Sequence, residues 1–172
     1  MTWQSDAPSA HTEWLEATWR QLDAAIEMLA NAIRACPASL WAEPGRGLEF
    51  WRLAYHTIFA LDYYVAELPE AYRPPAPFTL DESDPDAAPD RAYAPAELLD
   101  YLEQARGRGR ARLAAMTPDQ VGAPSPPPRI ELTAAELLLY SLRHVQHGAA
   151  QLNLLLRQAT GEAAPVWVRR SR

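Results

Sequence analysis

Four histidines are present, and three of them fall where they can act together: His144 and His147 stand three apart in one strongly helical run, and His56 stands in another. Neutral imidazole is the commonest protein ligand for divalent metals. Three imidazoles that converge and leave a position open form the protein half of a catalytic centre, in which the ion acidifies a bound water or thiol. On a helix, positions three and four apart share a face, so His144, the 147/148 neighbourhood, Gln151 and Leu155 form one stripe. Leu137, Tyr140 and Ser141 precede it at the same spacing, which predicts that both histidines replace core side chains in a helical bundle. The expected ligand set is His56, His144 and His147, and the expected ion is zinc, nickel or a similar divalent metal. Taken singly, His56 reads as a hydrogen-bonded core residue; its pairing with the second run is what raises it. His11, in the cap region of the first helix, reads as exposed.

Four helical segments have to position these groups. The first spans about Thr12 to Ala35, with Trp19, Leu22, Ile26, Leu29 and Ile33 recurring at three and four, and stops ahead of Cys36-Pro37. Segment two spans about Gly47 to Leu68, carries His56 near its middle and ends at Pro69. From Pro69 to Tyr93 the chain is rich in proline and acid, with few apolar groups beyond Phe78 and Leu80. That composition predicts a long surface loop, serving either as a lid or as a crossover between parallel helices. Segment three spans about Ala96 to Met116, opened by Pro95 and weakened at its centre by Gly107 and Gly109. A stiff linker, Pro124-Ser125-Pro126-Pro127-Pro128, precedes segment four, which Thr133 caps with Glu136 three residues later and which continues to about Thr160. The predicted fold class is all-α: a four-helix bundle in one domain over residues 1–172, with a long proline-rich connection between its second and third helices.

With 172 residues, the chain can bury a full core without disulfides or structural metals. Its formal net charge of -6 argues against a nucleic-acid surface. All the basic residues are arginines, and the clusters Arg106 to Arg112 and Arg169 to Arg172 read as solvated faces. Cys36 allows no internal disulfide and reads as a small, buried apolar residue. Met1 to Ala10 lack the pattern of a signal peptide, and no window is apolar for long enough to span a bilayer, so the expected location is cytoplasmic with no membrane partner. No glycine-rich phosphate loop and no Gly-x-Ser-x-Gly elbow is present. Asp62 lies off the face of His56 and reads either as an interhelical partner or as a solvated surface carboxylate, while Gln151 reads as structural. Trp51, Tyr55, Phe59, Tyr63 and Tyr64 crowd segment two, as pocket wall, core or interface, and such aromatic enrichment predicts a homodimer.

Two stretches carry a resemblance to a known family. His144 through Arg157, a histidine-rich start running into a glutamine- and leucine-rich helix end, and His56-Thr57 followed by Phe59 and Asp62-Tyr63-Tyr64, are similar to DinB-like or YfiT-like four-helix bundles. The tail Pro165-Val166-Trp167-Val168 resembles a subgroup of them. The resemblance implies a divalent metal held by one histidine of helix two and two of the last helix, four apart. It also implies a small-molecule substrate and thiol-dependent transfer with a low-molecular-weight thiol. This chain departs from the pattern at Gly148, the fourth residue after His144; His147 stands one position earlier, which re-aims the donor by roughly 100° of helix rotation. The readings left open are a distorted His56/His144/His147 metal site, a metal-free bundle in which Gly148 leaves space and a small molecule binds, and a module whose helix faces form a dimer.

Overall fold

Helix boundaries follow local chemistry. In a computed structural model, which describes residues 9–44, 49–66, 71–80, 89–125, 131–162, 165 and 167–170, helix α1 (Ala10–Ala35) starts at Ser9, whose hydroxyl accepts from Thr12 N, and stops at Cys36-Pro37. Helix α3 (Phe50–Val65) holds His56, α4 (Pro95–Ala115) opens on Pro95, and α6 (Ala134–Thr160) starts from the reciprocal Thr133/Glu136 capping box and ends on Gly161 at φ 71°. Two short helices, α2 (Ala38–Trp41) and α5 (Pro118–Gly122), were not expected from periodicity; each is too brief to show a repeat. The expected ends of segment two, Gly47 and Leu68, and the run Pro126 to Pro128 lie outside the described residues. Gly107 and Gly109 do not interrupt α4. A β-carbon at Gly109 would lie 3.4 Å from the Trp19 ring, so this glycine permits close approach of α1.

The four long helices form a ring in which α1 and α3 each pack against both α4 and α6. Contacts fix the directions. Tyr55 meets Tyr101 and Asp62 meets Arg108, so α3 and α4 run parallel. Tyr64 meets Tyr140 while His56 meets His144, so α3 and α6 are antiparallel. His11 reaches Met116 and Asp23 reaches Arg106, so α1 and α4 are antiparallel as well. Because α3 and α4 run parallel, the connection between them is a crossover rather than a tight turn.

That crossover is not a surface loop throughout. Tyr72, Phe78 and Tyr93 are buried in the main core among Trp51, Tyr55, Phe59 and Tyr101. Phe78 stacks on Tyr101 at 4.4 Å between ring centres, and Trp41 Nε1 donates to the Tyr93 carbonyl at 2.8 Å. The aromatic side chains Trp51, Tyr55 and Phe59 are therefore core, and they are not available as an interface. The arginine cluster of α4 is solvent-facing and ion-paired: Arg106 pairs with Asp23 and Glu27, Arg110 with Glu16, and Arg108 with Asp62. His11, expected to be exposed, is half-buried, with Nε2 2.9 Å from the Met116 carbonyl. Cys36 is half-buried against the core, and burial pushes its thiol up to about 12, which leaves it unreactive. No helix among the described residues is long and apolar enough to cross a membrane.

Candidate metal centre

His56 and His144 face each other across the seam between α3 and α6, with ring centres 5.4 Å apart and planes inclined at 54°. Both are half-buried. Tyr64 presents an edge-on contact to His144 at 5.9 Å, and Tyr140, one turn earlier on α6, lies nearly parallel to it at 6.4 Å. Burial first, then the charges of His56 and His147, push the His144 imidazole down to about 4, so it is neutral and keeps a free lone pair at physiological pH. Tyr64 is raised to about 12, by burial first and then by Tyr140. Tyr140 lies on the expected stripe ahead of His144, and Tyr64 is one of the segment-two aromatics that read as pocket wall, core or interface. The available signal was spacing alone, since Tyr140 is four residues before His144 and Tyr64 eight after His56.

The other half of α6 departs from expectation. Its buried line runs through Ser141, Val145, Gly148 and Leu152, one step off the predicted stripe, so His147 and Gln151 are exposed. His147 lines an open groove of about 490 Å³ together with Tyr140, Arg143, His144 and Gln146. Gly148 does not leave space. A β-carbon there would lie 2.7 Å from Thr57 Cγ2 and 3.0 Å from Thr57 Cβ, and would also overlap Oγ1, so the backbone of α6 already rests on α3.

The fit to a divalent ion is partial. Two imidazoles on one tetrahedral ion, each bonded at about 2.0–2.1 Å, have ring centres roughly 5 Å apart, close to the spacing of His56 and His144. Among the described residues, no three histidine, cysteine, aspartate or glutamate side chains gather into a metal-holding group. The structure thus brings two of the three expected donors together and leaves His147 on the outer flank of His144. Asp62, six residues beyond His56, is 1% exposed; it serves as an interhelical partner to Arg108 and accepts from the hydroxyl of Tyr72 in the crossover.

The depressed His144 pKa has a consequence for stability. An unfolded chain takes up a proton at His144 near pH 6.5, whereas the folded chain resists it until about 4. The unfolded state therefore binds more protons across that window, and stability is lost as pH falls through it. Urea midpoints of chelator-treated protein should fall from pH 6.5 to 4 more steeply than those of His144→Gln; equal slopes would show that His144 is already protonated in the folded state.

A family model described as the DinB superfamily matches residues 15–152, which include His56, His144 and His147. None of the curated proteins matches the chain. The match spans most of the chain and agrees with the helical architecture of the described residues: the chain belongs to the DinB superfamily.

Proposed function

We propose that this protein is a single-domain four-helix bundle of the DinB type whose working centre is a two-imidazole seat, His56 on α3 and His144 on α6, for a divalent ion of the zinc or nickel kind. The observation that carries the proposal is the facing pair, 5.4 Å between ring centres, in which His144 is held neutral. His147, exposed on the groove beside His144, is the remaining candidate for a third donor. A bound ion would favour thiolate over thiol at neutral pH, in keeping with transfer from a low-molecular-weight thiol to a small electrophile. Around it, Tyr64 stays protonated and offers a hydroxyl donor beside the seat, with Tyr140 packed against it, while the open groove admits the substrate.

A second reading draws on Gly148. At the position where the family pattern calls for a histidine, helix packing against Thr57 excludes any side chain, which favours a metal-free bundle that binds a small molecule in the same groove. Elemental analysis of untagged protein, purified without chelator, separates the two. Under the first reading the wild type carries close to one zinc or nickel per chain, His144→Ala and His56→Ala lose it with unchanged helicity, and His147→Ala lowers its affinity. Absence of metal after incubation with zinc or nickel would reject the first reading and leave the second.

A further inference from the structure

Arg143 stands exposed on the groove beside His144, and no carboxylate among the described residues pairs with it. By contrast, Arg34, Arg91, Arg106, Arg108 and Arg110 each pair with an aspartate or glutamate. The residues three and four away from Arg143 along α6 are Leu139, Tyr140, Gln146 and His147, none of them acidic. Glu136 is the sole acid of the helix, lies two turns away and accepts from Thr133 N and Oγ1. The chain as a whole carries 22 acidic residues against 16 basic ones, yet none of the described residues lining this groove is acidic. A cation left without a counter-charge at the rim of a cavity, in a protein with an excess of acid, is placed for an anion from outside.

We infer that the groove selects a small molecule bearing a carboxylate and that Arg143 is the residue that holds it. The inference rests on the groove as the substrate site, which both readings above share, and adds the chemistry the substrate must carry. Arg143 immediately precedes His144, so their α-carbons are about 3.8 Å apart while their side chains leave the helix about 100° apart. His147 and Tyr140 fall between the two in rotation. A carboxylate on the guanidinium therefore lays the rest of the ligand over His147 and Tyr140, with its uncharged end toward His144 and His56. The groove, about 490 Å³, has room for such a molecule. The planar guanidinium offers two parallel N–H groups that match the two oxygens of a carboxylate. Phosphate is the poorer match. Residues 140–150 lie in the middle of α6 (Ala134–Thr160), where the backbone N–H groups are bonded within the helix and none is free to join in cradling a dianion.

The test is a titration with 3-phenylpropanoate, 3-phenylpropanamide and inorganic phosphate, followed by amide and arginine side-chain NMR resonances, on protein as purified and after chelator treatment. The acid should shift the Arg143 Nε–H resonance and the amides of residues 140–150, and bind about tenfold more tightly than the amide or phosphate in both preparations. Arg143→Gln should lower that affinity about tenfold and abolish the preference for acid over amide, whereas Arg143→Lys, which keeps the charge without the fork, should fall between. Arg157→Gln removes an equal charge from α6 about 21 Å away and should leave the affinity unchanged. Acid and amide bound equally in the groove would overturn the inference and keep the groove as the substrate site. Groove resonances unmoved by all three probes would overturn the groove as the site, and the inference with it. Acid binding that chelation abolishes, that Arg157→Gln weakens as much as Arg143→Gln does, or that phosphate surpasses would also overturn the inference.

Discussion

An Asp62→Ala variant is expected to lose about 3 kcal/mol of stability. The carboxylate is 1% exposed and accepts from Arg108 Nε at 2.6 Å and from the Tyr72 hydroxyl at 2.7 Å, while the Tyr72 and Tyr101 hydroxyls lie 2.8 Å apart. Burial, with the neighbouring carboxylate, holds both phenols well above the usual tyrosine range, so they stay protonated and available as donors. A hydrogen bond to a charged group is worth about 1.5–3 kcal/mol. The side chain of Arg108 is 44% exposed, so its share is discounted for solvent screening, and the two bonds together come to about 3 kcal/mol. For a chain of this size, that lowers Tm by roughly 6–12 °C. Because Tyr72 belongs to the crossover, the loss should be felt first there. Amide exchange across residues 71–80 should rise in Asp62→Ala before exchange in α1 does. A melting point within about 2 °C of wild type would show that the network contributes little.

Gly148→Ala should also destabilise, although alanine is by far the better helix former. The exchange gains about 1 kcal/mol of helix propensity. Against it stands the overlap with Thr57, whose Oγ1 is tied to the Leu53 carbonyl at 2.8 Å and so cannot simply rotate away. Forcing α6 off α3 costs about 3 kcal/mol, for a net loss of about 2 kcal/mol and a Tm lower by roughly 4–8 °C. In a Thr57→Ala background two of the three close contacts are gone, and the same Gly148→Ala step should cost about 1 kcal/mol or less. Equal costs in the two backgrounds would rule out packing as the cause. Gly148→His, which restores the spacing of the family pattern, should destabilise more than Gly148→Ala and acquire no tighter metal site. The seam that holds His56 against His144 is closed by the absence of a side chain at 148.

Much of the architecture was legible in the chain. Periods of three and four mark the four long helices, Cys36-Pro37 and Pro95 mark where two of them stop and start, and Thr133 with Glu136 marks the start of α6, because capping and proline geometry act within a single turn. The pairing of His56 with His144 was legible too, since each sits near the middle of a long amphipathic helix, and facing helices bring their centres together. Local periodicity also determined that the fold is all-helical. Only the tertiary structure decided how α6 is turned about its axis. A repeat of three and four fits adjacent phases equally well, and packing against α1 and α3 chose the line of Ser141, Val145, Gly148 and Leu152, which put His147 outside. The burial of Tyr72, Phe78 and Tyr93 was likewise decided by packing, because a proline- and acid-rich stretch reads as solvated until the partners that satisfy its hydroxyls and rings are in place. The role of Gly148 belongs with these: a residue without a side chain gives no pattern of its own, and its effect comes from how near it lets Thr57 approach.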